Sequence, residues 1–312
     1  MENGNQTIVK FFILKGISDI PKLQTPIFIL ILLIYLITLG GNLTILFLVI
    51  RDSKLHTPMY FFLGNLSIID ISSTSVSLHK VLSTYVTGDN TISFHACMAQ
   101  AYLFLSFTGD EMCILAAMSY DRYVAICNPL HYPMVMNSRV CILLATICWV
   151  CSFIDIIPYV SLLSSYSCHI SNIINHFYCD IVPIMKLSCS DLSALKLLIY
   201  TEGLVFGFTP WFLTFLSYVF IIITILRITS STGRLKAFYT CSSHLTVVIL
   251  LYVTLFCLYM RPNAQDNLES TKLFSLFNTV AVPLINPIIY TLKNKDVTLA
   301  MKRQLRYFKG NQ

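Results

Sequence analysis

Ile27–Ile50 reads IFILILLIYLITLGGNLTILFLVI, 24 residues without one charged side chain. About 20 mostly apolar residues suffice for a helix to cross the hydrocarbon core of a bilayer. The same reading applies along the rest of the chain. Pro58–Leu78 is a second span with one acid, Asp70. Ala99–Ile126 is the third; it holds Asp110 and Glu111 and runs out through Asp121 and Arg122. Val140–Leu163, with Asp155, is the fourth, and Leu197–Leu226, with Glu202, is the fifth. Ala237–Tyr259, with His244, and the uncharged Leu273–Leu292 complete seven. The sequence therefore predicts an all-α membrane protein, a seven-transmembrane helix bundle. Composition agrees: of 312 residues, 56% are hydrophobic and only 12% charged, about half the charged share of a soluble domain. That excludes a disordered chain and an ordinary soluble enzyme.

The net charge of +6 is explained by where the charges lie. Arg51, Lys54, Arg122, Arg139, Arg227, Arg234 and Lys236 flank alternate loops. Lys293, Lys295, Lys302, Arg303, Arg306 and Lys309 crowd the tail on the same side. Basic loops stay cytosolic, so the amino terminus is expected outside and the tail inside. The excess is a topology signal and an affinity for anionic membrane lipids; it does not point to nucleic acid. The expected organisation is an extracellular segment at 1–26, the bundle at 27–292 and a cytosolic tail at 293–312. Met1–Thr25 is too polar for the apolar core of a signal peptide. In the tail, Val297, Met301, Leu305 and Phe308 recur at helical spacing among the basic residues. That pattern predicts a short amphipathic helix on the inner leaflet.

Eleven cysteines must be sorted by compartment. Cys97, Cys168, Cys179 and Cys189 fall on the outer side and can form two disulfides in three pairings. The other seven read as apolar packing. His176, Cys179 and Asp180 are close enough in sequence to ligate a metal, unless Cys179 is in a disulfide and so is no thiolate. Of the sequons at Asn5, Asn42 and Asn65, only Asn5 lies outside a span, so it is the expected glycosylation site. Asp110 and Asp121 could suggest an intramembrane protease. They sit on one helix about 16 Å apart at 1.5 Å per residue, too far to share a scissile bond. Internal repeats of the kind transporters carry are not evident.

Four strings carry a resemblance. The second span opens Leu55-His56-Thr57-Pro58-Met59-Tyr60-Phe61-Phe62-Leu63. The third closes Met118-Ser119-Tyr120-Asp121-Arg122-Tyr123-Val124-Ala125-Ile126-Cys127-Asn128-Pro129-Leu130-His131-Tyr132. The sixth opens Lys236-Ala237-Phe238-Tyr239-Thr240-Cys241-Ser242-Ser243-His244-Leu245, and the seventh closes Pro283-Leu284-Ile285-Asn286-Pro287-Ile288-Ile289-Tyr290. Together they resemble a vertebrate olfactory receptor of the rhodopsin-like G-protein-coupled superfamily, from about Phe12 to Leu305. Ser119, Gly64 and Asp155 depart from that pattern. Tyr252 stands where the wider superfamily has tryptophan.

The resemblance implies a receptor, with no catalysis of its own, that binds small, mostly apolar odorants and activates a stimulatory heterotrimeric G protein to raise cyclic AMP. A chemoreceptor of the same fold for a non-odour metabolite is the nearest alternative. It implies a plasma-membrane location in sensory cilia. It implies an outer-half ligand set of Phe104, Leu105, Thr108, Gly109, Glu202, Phe206, Tyr252, Phe256, Tyr259, Leu276 and Thr279. Asp121, Arg122, Tyr123, Tyr218, Asn286, Pro287 and Tyr290 are implied for activation and coupling. Asp70 and Glu111 are placed together, near Asn42 and Asn286. Two carboxyls in a membrane must share a cation, water or a proton, so a sodium ion or shared proton is expected there. Glu202 is expected to recognise a donor or cationic group on the ligand.

Overall fold

The computed structural model describes residues 9–18, 20–166, 169–260 and 268–310. Asn5 and Cys168 lie outside the described residues. Among the described residues, seven helices are long and apolar enough to cross a membrane: α1 (Pro21–Arg51), α2 (Pro58–Thr87), α3 (Phe94–Cys127), α4 (Ser138–Ser165), α5 (Ser193–Arg227), α6 (Ser231–Leu255, continued by a π-helical turn at Phe256–Met260) and α7 (Leu268–Leu276, a π-helical turn at Phe277–Ala281, then Val282–Lys293). Each expected span is found, extended by a few residues at most ends. The seven expected helices are regular in α1 to α3 and interrupted later. Pro158 supplies no N–H and marks a break in α4 after Asp155. A π-helical turn at Gly203–Gly207 interrupts α5.

The helix α3 packs against α2, α4 and α5 and so forms the axis of the bundle. The main core joins Phe62, Leu66 and Ile69 of α2 to Ile114, Leu115 and Met118 of α3 and Leu251 of α6. At one point backbone must touch side chain: a Cβ on Gly41 of α1 would lie 2.9 Å from Cβ of Pro287 on α7. Only glycine admits that approach.

The helix α8 (Lys295–Gly310) follows α7. Val297 and Ala300 are buried and Met301 packs on the core, whereas Leu305 is exposed; the Phe308 side chain lies outside the described set. Arg303 clamps α8 to the turn after α1, with Nη2 2.7 Å and Nε 2.9 Å from Asp52 Oδ2. Burial alone would raise the Asp52 carboxyl, but Arg303 and the Lys54 amide hold it below the usual carboxylate range.

One feature is absent from the all-helical expectation. β1 (Phe11–Leu14) pairs antiparallel with β2 (Thr91–Ser93) and parallel with β3 (Ile173–Ile174). This small sheet ties the amino-terminal segment to the α2–α3 and α4–α5 loops.

Candidate functional site

In mid-bundle, Asn286 of α7 donates from Nδ2 to both oxygens of Asp70 (3.1 Å each) and to Glu111 Oε1 (3.4 Å). One amide thus draws carboxyls from α2 and α3 together. The Asn286 Oδ1 atom is buried without a partner. Asn42 joins from a different direction. Pro287 has no N–H for the carbonyl of Pro283, and the Asn42 amide takes that acceptor at 3.3 Å. A proline-broken ladder is therefore closed by a side chain from α1.

At the end of α3, Asp121 is fully buried. Its Oδ2 receives Arg122 Nη2 (2.8 Å) and Nε (3.1 Å), and its Oδ1 receives the Tyr132 hydroxyl (2.8 Å). The Tyr123 ring approaches those of Tyr120 and Phe220. Across from it, Tyr218 of α5 and His244 of α6 share a 2.6 Å hydrogen bond and stack. The Tyr218 hydroxyl also donates to the Cys241 carbonyl. Tyr290 is buried with an unpartnered hydroxyl.

At the other end a disulfide joins Cys97 of α3 to Cys179. This resolves one of the open pairings. Cys189 is disulfide-bonded as well. The Cys179 sulfur is therefore not free to ligate a metal. The bridge anchors the α4–α5 loop over the bundle, and Cys179 N donates to Gln100 Oε1 at 2.9 Å. The loop presses Phe177 and Tyr178, both buried, against Phe104, Val280 and Leu276. The Tyr178 and Phe104 rings meet edge-on at 4.9 Å. His176 shares a 3.1 Å bond with Ser275 of α7, and Lys272 donates to Asn175 Oδ1 at 3.1 Å. Burial, helped by the Lys272 charge, pushes the His176 imidazole down to about 3. Burial pushes Asp180 up to about 6, against the amide of Ile181 and the hydroxyls of Tyr259 and Tyr178.

Residues 31–307 match the family model described as olfactory receptor. The chain belongs to the olfactory receptor family. Mouse olfactory receptor 5AR1 is 43% identical over 303 residues, covering 97% of this chain and 98% of the relative. Human olfactory receptor 6C1 is 45% identical over 305 residues, covering 97% of each. Squid rhodopsin, 17% identical, superposes with a TM-score of 0.73 over 93% of this chain and 88% of its own. The seven-helix bundle is thus the rhodopsin fold.

The sequence-expected ligand set of this olfactory receptor divides in three. Phe104 and Leu276 meet under the loop. Leu105 and Tyr259 pack on the outer cluster around Cys97, with Tyr259 donating to Asp180 at 3.4 Å. Thr108 and Thr279 are buried, each returning its hydroxyl to its own helix, and Tyr252 is partly buried on the main core. Four residues fall elsewhere. Gly109 faces α4: a Cβ there would meet Ser152 at 3.5 Å. Phe206 and Phe256 are 46% and 61% exposed. Both sit in π-helical turns, which shift the register that a regular 3.6-residue repeat assumes. Glu202 is turned toward α4, where the Tyr159 hydroxyl donates to it beside Asp155.

The expected set lacks His244, Tyr132, Tyr159, His176 and Tyr178. A signal existed for His244, an ionisable residue inside a span. Tyr132 and Tyr178 carry no such signal; only the folded chain places them.

Proposed function

We propose that this receptor binds small, mostly apolar odorants in the outer half of the bundle and activates a stimulatory heterotrimeric G protein, raising cyclic AMP. The observation that carries this reading is the contrast between the two ends of α3. Its outer end is lined by Phe104 beneath the aromatic loop, and its inner end carries Asp121 and Arg122. Apolar pockets with a few polar groups suit such ligands. Ligand binding shifts the population toward a state in which Arg122 leaves Asp121 and meets the G protein. The disulfide end faces the oxidising outside, which supports an extracellular amino terminus at the plasma membrane of sensory cilia. The basic face of α8 lies on lipid.

Asp70 and Glu111 supply hard oxygen donors, and the unpartnered Asn286 Oδ1 adds a neutral one. They fit a sodium ion, which would offset their charge. Glu202 takes a donor or cationic group from the ligand, in exchange for the Tyr159 hydroxyl.

The test is a cyclic-AMP assay in cells expressing the chain with a stimulatory G protein, over a chemically diverse odorant panel that includes amines. A ligand-dependent rise, lost in surface-expressed Arg122→Ala, is expected. Responses that survive Arg122→Ala would contradict the coupling role. Unchanged potency of every active ligand on Glu202→Gln would remove Glu202 from the pocket. For the ion, sodium should raise the melting temperature of the purified receptor over choline at equal ionic strength, and Asp70→Asn should abolish the difference. Equal melting in both salts would leave a shared proton instead.

A further inference from the structure

The inner ends of α2, α7 and α8 meet at one phenol. Tyr60, in the first turn of α2, is 7% exposed, and its ring belongs to the main core. Its hydroxyl reaches two acceptors, Asn294 Oδ1 at 3.0 Å and Asp296 Oδ2 at 3.1 Å. A phenol has one proton to donate, so the two oxygens share it. Asn294 is the residue between the end of α7 and the start of α8. Its Oδ1 also accepts the amides of Asp296 (3.0 Å) and Val297 (3.3 Å), as an N-cap asparagine does. The cap of α8 is therefore complete without Tyr60. Asp296 is exposed, where water can serve its carboxylate. What the phenol alone supplies is a bond between α2 and the elbow of α7 and α8.

The two sides of that elbow are held differently. The body of α8 is clamped to the turn after α1 by Arg303 and Asp52. The inner half of α7 lies past the Pro287 break, where the helix lacks a backbone bond. It carries Tyr290, whose buried hydroxyl has no partner. The charge of Arg122 acts on both the Tyr60 and the Tyr290 phenols, while Arg122 itself is paired with Asp121. The Tyr60 bond therefore coexists with the closed Asp121–Arg122 pair, and a shift of inner α7 against α2 would stretch it. We propose that Tyr60 is a positioning residue for coupling: its hydroxyl holds the α7–α8 elbow against α2 in the resting arrangement and opposes the movement of inner α7 that accompanies release of Arg122. The proposal rests on the coupling reading above and adds a residue to it. Removing the bond destabilises only the state that contains it, so the population shifts toward the other.

The test compares wild type with Tyr60→Phe, which keeps the ring in the core and removes the hydroxyl. In cells with a stimulatory G protein, ligand-free cyclic AMP per surface receptor should rise about 2- to 10-fold, the shift that one hydrogen bond supports. Hydrogen exchange is then read by mass spectrometry on the purified full-length receptor in nanodiscs, with no G protein present. Exchange should quicken over 282–293 as well as over 295–300. Asp296→Ala, at an exposed position, removes one acceptor and should act in the same direction; it carries the test if Tyr60→Phe does not reach the surface. No quickening, or quickening confined to 295–300, would overturn the proposal, since Tyr60 would then do no more than steady the start of α8. Unchanged ligand-free cyclic AMP, in an assay where an odorant activates the wild type, would overturn it too. A wild type that no odorant activates, with 282–293 quickened in the variant, would tell against stimulatory coupling and support the elbow restraint.

Discussion

At the outer end of the bundle Phe104, Phe177 and Tyr178 meet ring against ring. At the inner end Asp121 holds Arg122 and Tyr132 through three hydrogen bonds. The first contact is non-directional and depends on volume; many side chains could fill it. The second is directional, and each group needs its own partner. The outer contact can therefore tolerate a change of side chain that keeps its volume, whereas each inner group depends on its one partner. Between them the Asp70, Glu111 and Asn286 group and the Pro287 break lie where a change at one end can reach the other.

Several variants would break or sharpen this contrast. The largest effect falls at the inner end. Arg122→Ala should abolish the ligand-driven cyclic-AMP rise with surface expression retained, whereas Leu276→Ala at the outer end should shift potency among ligands without silencing them. Removing the loop anchor comes next. Cys97→Ala should lower stability by about 2–5 kcal/mol, the usual loss for a native disulfide, and surface antibody staining should fall with it. Gly41→Val forces a side chain into Pro287. Overpacking of this kind costs about 1–3 kcal/mol and should appear as a lower melting temperature in nanodiscs. At α8, Arg303→Ala removes a partly exposed clamp on Asp52, and screening keeps its contribution within about 1 kcal/mol; thermal melting should barely move.

The loop also predicts a pH response with opposed signs. His176 has its pKa pushed down to about 3 when seated, so a released loop binds more protons between there and about 6.5. Its seating is complete above that window and weakens as pH falls through it. Asp180, pushed up to about 6, does the reverse. Seating is favoured below the ordinary carboxylate range and weakens as pH rises toward 6. Asp180→Asn should make melting more acid-sensitive between pH 7.5 and 5, and His176→Gln should make the receptor more stable on acidification. Identical pH profiles for the two variants would show that the loop is not the titrating element.

The inner end was far more legible from sequence than the outer. Long apolar runs mark the seven spans, and the family resemblance carries Asp121, Arg122, Asn286 and Pro287, of which the two charged residues and the proline are also costly inside a membrane helix. The facing of Phe206 and Phe256 was not legible. A bundle helix in lipid is apolar on both its core and its outer face, so periodicity carries little information there. The π-helical turns at Gly203–Gly207 and Phe256–Met260 then displace the register. The facing of Gly109, toward Ser152 of α4, is illegible for the same lack of a polar side. The sheet leaves no pattern in the sequence because β3 is only two residues long and its partners are distant in the chain.

The central claim is that occupancy of the outer pocket releases Arg122 at the inner end. It is tested most directly by the distance between spin labels at Arg139 and Ser231, two exposed positions at the inner ends of α4 and α6, measured by pulsed electron resonance in nanodiscs. An odorant active in the cyclic-AMP assay should shift the distance distribution to a second, longer population that grows with ligand concentration. A distribution unchanged at saturating active ligand would contradict the claim.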